Sequence, residues 1–308
     1  MKHFVEAHVD RRANAEQKLH QLIGAIINSK SFGVMYEPRT RTASDTFADR
    51  RGNCLSFSTM FIAMARDVGL EVQYQEVEIP PQWTLDANTF VLNQHINVRV
   101  DLGLRGKRVV DFNMAEFRAN YDMRTISDRR GLAHFYNNLG VERMQAGDRP
   151  SALAAFETAI GSGDRHYTPA WTNLGTLHLR AGDVAGAEAA YLQALRTNQG
   201  DLVAMSNLER LYQSMGDRRR AVAYHAKVIR HRNRNPYYRY ELAGRAFAAQ
   251  QYDKAISHLQ YAIRTGKRDE RFYLLLARTY LEKGDRRRAA QWIRRLPPSG
   301  RGQSKQAR

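Results

Sequence analysis

The sequence predicts an α+β domain followed by an all-α solenoid of repeated helix pairs, and three observations carry that reading. In the first 114 residues a helical apolar pattern gives way to segments with period-two alternation, helices first and antiparallel-looking strands after them. Farther on, a Gly-Asp pair recurs at Gly147-Asp148, Gly182-Asp183, Gly216-Asp217 and Gly284-Asp285, in steps of 35, 34 and 68 residues. The charge divides with the pattern. Residues 1–200 hold 23 Lys and Arg against 22 Asp and Glu, whereas residues 201–308 hold 25 against 9, so nearly all of the net +17 lies in the last third.

At 308 residues the chain is long enough for two domains, each with its own core. A single cysteine, Cys54, excludes a disulfide framework within the chain. No stretch approaches the roughly 18 apolar residues of a membrane-spanning helix. Met1 to Asp10 holds no signal-like apolar segment, so as written the chain would stay in the cytoplasm. The amphipathic pattern nevertheless begins abruptly at Phe4, which a trimmed signal segment, and hence an exported or periplasmic protein, would also produce.

The elements follow in order. Residues 11–28 place Leu19, Leu22, Ile23, Ile26 and Ile27 at helical spacing. Leu55 to Val68 reads as a second helix whose apolar residues Phe57, Met60, Phe61, Ile62 and Met64 surround the axis, as in a buried central helix, with Gly69 closing it. Glu71 to Val77 alternates as a strand, and Pro80-Pro81-Gln82-Trp83 breaks it with a loop. On the strand around His95, Asn93, His95, Asn97 and Arg99 share one face while Gln94, Ile96, Val98 and Val100 share the other, so the imidazole projects from a polar face. Asp111 lies on a further predicted strand with Val109 and Asn113 on its face, which makes it partly buried. The domain closes at 114, and 115–132 reads as a connector.

From 133 to 297 the repeat takes over. Alanines stay in phase with the Gly-Asp pairs at Ala152, Ala187, Ala221, Ala255 and Ala289, and the missing pair falls at Gln250-Gln251, where only the turn has drifted. A 34-residue period, Leu-Gly pairs in the first helix (Leu139-Gly140, Leu174-Gly175), a turn glycine and alanine in the second helix together resemble the tetratricopeptide repeat, with about five units. Such repeats recruit protein or peptide partners. Asn138, Asn173 and Asn207 occupy one position of the first helix, where three amides in register suit the backbone of an extended peptide; a tolerated helix residue is the plainer alternative. After Pro297-Pro298, residues 298–308 read as a disordered basic tail. The basic residues of 201–308, with Arg218-Arg219-Arg220 and Arg286-Arg287-Arg288 among them, favour an acidic partner or an anionic polymer.

The chemistry sits in the first domain. Cys54 stands where a polar turn, Arg51-Gly52-Asn53, runs into the central helix. There, unpaired backbone N–H groups and the helix dipole favour the nucleophilic thiolate. His95 and then Asp111 follow on successive strands and supply a base and its orienter, the order that a Cys-His-Asp site needs. Over residues 15–115, Gly52-Asn53-Cys54, His95 and Asp111 resemble in order and approximate spacing the triad of the transglutaminase-like superfamily, the circularly rearranged relatives of papain-type proteases. The resemblance implies a papain-like α+β fold and thioester chemistry. Tyr36 stands roughly where the family offers an upstream oxyanion donor, and Trp83 is placed to wall a substrate cleft; ordinary packing is the alternative for both. Neither Cys54 nor His95 has neighbours at metal-ligand spacing, so no metal or other cofactor is expected.

Three function classes fit these residues: a thiol acyl-transfer enzyme, most simply a cysteine peptidase or amide hydrolase whose repeats recruit a protein substrate; a transglutaminase or amidase of narrower substrate class; and a non-enzymatic interaction scaffold. Three intact triad positions favour the first two over the third, and the first is the reading adopted from the sequence.

Overall fold

The computed structural model describes residues 1–27, 32–78, 82–83, 90–91, 94–112 and 122–297. The first domain opens with helices α1 (Lys2–His8) and α2 (Ala15–Ile27), a two-residue strand β1 (Met35–Tyr36), helix α3 (Ala43–Asp49), strand β2 (Arg51–Gly52) and helix α4 (Cys54–Asp67). Strand β3 (Glu71–Glu78) follows, then the short β4 (Gln82–Trp83) and β5 (Phe90–Val91), the long β6 (Gln94–Asp101), β7 (Lys107–Val110) and β8 (Asp122–Ile126).

Helix α4 is the centre of this domain, as its all-round apolar pattern predicts. Leu55, Phe57, Met60, Phe61, Ile62 and Met64 are all at most 3% exposed, and Gly69 leaves the helix with a φ of 78°, a value that favours glycine. The helix packs on a four-stranded antiparallel sheet of order β7-β6-β3-β8, where Val72, Tyr74, Ile96, Val98, Val100, Val110 and Ile126 join Met60, Phe61 and Met64 in one core. Two polar bonds fix its height above the strands: the Tyr74 hydroxyl donates to Thr59 Oγ1 at 3.2 Å and Ser58 Oγ to the Ile96 carbonyl at 3.3 Å. Part of the segment that reads as a connector is structured. Asp122–Ile126 is the edge strand β8, paired with β3 as Tyr74↔Ile126, and its side chains alternate too weakly in hydropathy to announce a strand.

The repeats begin at once after β8, with α5 (Asp128–Gln145) and α6 (Arg149–Thr158), which ends in a π turn at Ala159–Gly163. Then come α7 (Thr168–Arg180) and α8 (Val184–Thr197), α9 (Leu202–Ser214) and α10 (Arg218–Arg234), α11 (Pro236–Ala248) and α12 (Tyr252–Arg264), and α13 (Glu270–Glu282) and α14 (Arg286–Arg294). Each hairpin turns at its Gly-Asp pair. Gly147, Gly182, Gly216 and Gly284 have φ between 73° and 86°, and the following aspartates cap the second helix by accepting a backbone N–H three residues on. In the drifted unit Gln250 takes the same left-handed conformation, φ 57°, and Gln251 caps without a side-chain bond. The in-phase alanines are 0–5% exposed.

The Leu-Gly pairs have a direct steric cause. A Cβ built on Gly140 would sit 2.5 Å from the ring of Phe156, and one on Gly175 would sit 2.6 Å from the ring of Tyr191, 16 residues later in each case. These glycines let an aromatic ring of the second helix lie on the backbone of the first.

By its contacts the chain divides into two compact units. The described part of the first takes residues 1–27, 32–78, 94–112 and 122–211, so it contains the whole four-stranded sheet together with α5 to α8; the described part of the second contains the β4–β5 ribbon and residues 212–297. Within the first unit Glu76 of β3 binds the repeats. It accepts from Arg130 Nε at 2.5 Å, from His134 Nε2 at 2.7 Å, and from Arg124 of β8, while the Tyr167 hydroxyl donates to His134 Nδ1 at 2.9 Å. Burial pushes His134 down, which keeps the ring neutral and able to donate and accept along that line. Burial alone would raise Glu76, but the bonds from His134, Arg124 and Arg130 hold it well below the usual carboxylate range.

Two substitutions test the turn and contact chemistry with opposite signs. Gly175→Ala should lower unfolding stability by about 1–3 kcal/mol through overpacking against Tyr191, although alanine is the better helix former. Gln250→Gly should raise it by up to about 1 kcal/mol by relieving the left-handed turn. Chemical denaturation of both variants measures the pair.

Candidate functional site

The site is assembled around one capping residue. Asn53 is extended (φ −87°, ψ 179°), and its Oδ1 accepts the Ser56 backbone N–H at 2.9 Å and the Ser56 hydroxyl at 3.0 Å, so α4 starts at the next residue, Cys54. Gly52 is required just before it, since a Cβ there would lie 2.7 Å from Ser56 Cβ. The half-buried Cys54 therefore occupies the first position of a 14-residue helix, at the positive end of its dipole.

His95, on β6, lies in hydrogen-bonding range of the Cys54 sulfur. Its Nε2 is 2.7 Å from Asp111 Oδ2, which leaves Nδ1 for the thiol. Asn97, two residues along the same strand face, donates its Nδ2 to the same carboxylate oxygen at 3.0 Å. Asp111 falls one residue beyond the end of β7 rather than on the strand. Continuing the Val98↔Val110 register sets it opposite Asn97. Phe112 then packs against Phe57 and Phe61 of α4 with ring centroids 5.4 and 6.0 Å apart, fixing the backbone beside the carboxylate. The polar face inferred for His95 is polar in composition yet buried: His95 is 3% and Asn97 0% exposed, and the Asp111 side chain 2%. The imidazole, the carboxylate and the Asn97 amino group are satisfied by one another rather than by solvent, while Asn97 Oδ1 is buried without a hydrogen-bond partner.

Electrostatically the pair is strong. Burial opposes a charged imidazole at His95, but the Asp111 carboxylate and the Cys54 sulfur outweigh it, and its pKa is pushed up to about 10. A ring raised in this way stays imidazolium at neutral pH.

The remaining sequence-derived positions are distributed as follows. Tyr36 pairs with Gly52 across the parallel β1–β2 ladder, two residues before Cys54, and is 63% exposed. Trp83 lies on the β4–β5 ribbon opposite Phe90, in the second unit. Asn138 lines a cleft against the first domain. Asn173 donates to Asn137 Oδ1 at 2.8 Å and Asn207 accepts from Arg210 at 3.0 Å, so two of the three amides hold partners within their own solenoid. Pro80, Pro81, Asn113 and residues 298–308 lie outside the described residues. Sequence reasoning missed Asn97 as a second ligand of Asp111, Phe112 as its anchor, and Glu142, whose Oε1 accepts the Thr40 backbone N–H at 2.7 Å. Glu142 stands four residues after Asn138, on the same helix face, and that spacing was the available signal. Among the described residues no group of three His, Cys, Asp or Glu is placed to hold a metal ion.

Residues 2–112 match the transglutaminase-like superfamily, and residues 137–201, 204–237 and 246–308 match tetratricopeptide repeat families. The chain is a transglutaminase-like domain followed by tetratricopeptide repeats. No curated protein matches it. Among solved structures it is similar to MamA from Desulfovibrio magneticus RS-1, at 16% identity over 57% of this chain and 98% of that one with a TM-score of 0.31. It is also similar to YrrB, a TPR protein with an unusual peptide-binding site, at 16% over 53% and 84% with a TM-score of 0.30. A third is Pseudomonas aeruginosa pilF, at 22% over 57% and 81% with a TM-score of 0.31. Among the described residues of this transglutaminase-like and repeat chain, no helix is long and apolar enough to cross a membrane.

The raised imidazole has a measurable sign. Because the folded value lies above the 6.5 of a free ring, the ion pair stabilises the fold fully below about pH 6.5, and that contribution is lost as pH rises through about 10. Ring NMR signals of His95 should remain those of the protonated form at pH 8, and the midpoint should fall in Asp111→Asn and in Cys54→Ala. A wild-type midpoint near 6.5 would contradict the assignment.

Proposed function

We propose that the transglutaminase-like domain is a thiol acyl-transfer enzyme, most simply a cysteine peptidase or amide hydrolase, and that the repeats bring a protein substrate to it. The observation that supports this reading is the shared imidazole: His95 Nε2 lies 2.7 Å from Asp111 Oδ2, and the same ring interacts with the Cys54 sulfur. The Cys54 sulfur attacks the amide carbonyl carbon, and the C–N bond breaks as His95 gives its proton to the departing amine. A water then adds to the thioester carbonyl, losing its proton to His95, and the acid leaves as the thiolate re-forms. The Cys54 backbone N–H, at the start of α4, is the first oxyanion donor, and Tyr36 or a second backbone N–H completes the pair. Asp111 and Asn97 position the imidazole without touching substrate.

A transfer reaction uses the same thioester and resolves it with an amine instead of water; the family of the first domain, transglutaminase-like, is what favours this second reading. For the last repeats we propose an acidic partner, on the observation that Lys283, Arg286, Arg287 and Arg288 converge around one cavity of about 580 Å³ with Asp285 as their acidic neighbour.

Iodoacetamide should alkylate Cys54 below pH 7 much faster than it alkylates a free thiol of pKa about 8.5. His95→Ala should slow that alkylation with the fold intact by circular dichroism, and Cys54→Ala should abolish turnover in an amide-substrate screen. An alkylation profile that follows an unperturbed thiol would sink the enzymatic reading. Separately, replacing Arg218, Arg219, Arg286 and Arg287 by Gln should reduce retention on an anionic resin, and wild-type retention should drop steeply between about 50 and 200 mM salt.

A further inference from the structure

The strongest unassigned feature is a cleft within the first unit that is lined in part by Asn53, the residue before Cys54. One wall is the helix α5 of the first repeat, through Asn138, Val141, Glu142 and Gln145; the other is Pro38, Arg39 and Thr40 with Asn53. Its volume is about 480 Å³, in the range of ligand-binding clefts. Asn53 is the residue immediately before Cys54, so the cleft is lined at the start of the helix that carries the thiol.

The two walls are fastened together. Glu142 Oε1 accepts the Thr40 backbone N–H at 2.7 Å, and Thr40 Oγ1 accepts from Asn53 Nδ2 at 2.9 Å. A bonded line therefore runs from the repeat helix through Thr40 to the cap of α4. The separation of the walls is set by the same residues that set the position of Cys54.

We propose that this cleft is a substrate subsite for an extended polypeptide segment flanking the amide acted on by Cys54, so that the first repeat is a wall of the active site and not only a distant recruiting module. The proposal rests on the thiol acyl-transfer reading above. The lining chemistry is what a peptide needs. Asn138 and Gln145 each carry an amide donor and acceptor, Pro38 and Val141 supply apolar surface between them, and Arg39 adds a cation at the exposed edge. Asn138 and Gln145 are seven residues apart on α5, a rise of about 10.5 Å. Three residues of extended chain cover about 10 Å, so the two amides match main-chain groups three residues apart along a bound strand. Asn138 is thereby separated in role from Asn173 and Asn207, whose amides are bonded within the solenoid.

The test uses the full chain and three probes of Cys54: iodoacetamide, an acyloxymethyl ketone carrying one capped residue, and an equimolar library of ketones carrying four residues. In the wild type the four-residue library should inactivate Cys54 at least about tenfold faster than the one-residue ketone, each rate taken relative to iodoacetamide on the same protein. That advantage should fall about tenfold in Asn138→Ala/Gln145→Ala, as two lost hydrogen bonds imply, and also in Gln145→Trp, which fills the cleft from an exposed position. In the four-residue adduct, but not in the iodoacetamide adduct, amides of 39–40 and 138–145 should gain protection from hydrogen exchange. A length advantage that is absent from the wild type, or that survives both variants, overturns the subsite. Protection confined to the first domain does the same. A Cys54 that reacts as an ordinary thiol with all three probes overturns the acyl-transfer reading itself and takes the subsite with it.

Discussion

Four hydrogen bonds meet at the side chain of Asn53, and the rest of the site is arranged around them. Its carbonyl oxygen takes two bonds from Ser56, while its amino group gives one to Thr40 Oγ1 and another, at 3.2 Å, to the Pro38 carbonyl. A primary amide can do little more, so the residue is saturated. It fixes where α4 starts, hence where the sulfur stands relative to the helix dipole. It also draws the Pro38–Thr40 segment against that start. Aspartate could cap the helix but could not donate to Thr40 and Pro38, and serine has one donor where two are used.

Around this cap the molecule brings three separate stretches of chain to one point. The helix brings the thiol, β6 brings the imidazole and Asn97, and the residue after β7 brings the carboxylate. None of these is near another in sequence, and what holds them in register is the apolar layer between α4 and the sheet. The bonds from Tyr74 to Thr59 and from Ser58 to Ile96 pin the helix over the strands at the level of the site. Phe112 performs the same service for Asp111 by clamping onto Phe57 and Phe61. Packing of this kind leaves little freedom for a side chain to drift by the ångström that catalytic geometry tolerates poorly.

Much of this was legible in the chain because it is written in local patterns. The Gly-Asp-Ala periodicity specifies hairpins through glycine's access to positive φ, aspartate's capping and alanine's small size, all properties of single residues. Gln250 shows that the pattern can lose its glycine while the backbone keeps the turn. The grouping of Cys54, His95 and Asp111 was legible because a thiol, an imidazole and a carboxylate are chemically distinct side chains. What was hidden depends on contacts between remote segments. Strand β8 borrows its identity from β3; Glu76 looks like an exposed strand residue until His134 and Arg130 arrive from another element. The burial of His95 could not be inferred from alternation alone, since alternation distinguishes the faces of a strand and not what covers them.

The Glu76 network also bears on how such a chain can be recombined. Solenoid repeats are commonly treated as interchangeable blocks, each touching only its neighbours. Here the first block is bonded to a carboxylate of β3, and the strand that would sit at any seam, β8, is hydrogen-bonded into the sheet of the preceding domain. A graft that joined a different repeat array after residue 114 would leave β3 with an unpaired edge and Glu76 with no cations, a buried charge without compensation. The block that could be moved intact thus runs through α7, whose N-cap residue Tyr167 completes the network, and includes one and a half repeats of sequence that a boundary drawn by family resemblance would assign to the other side.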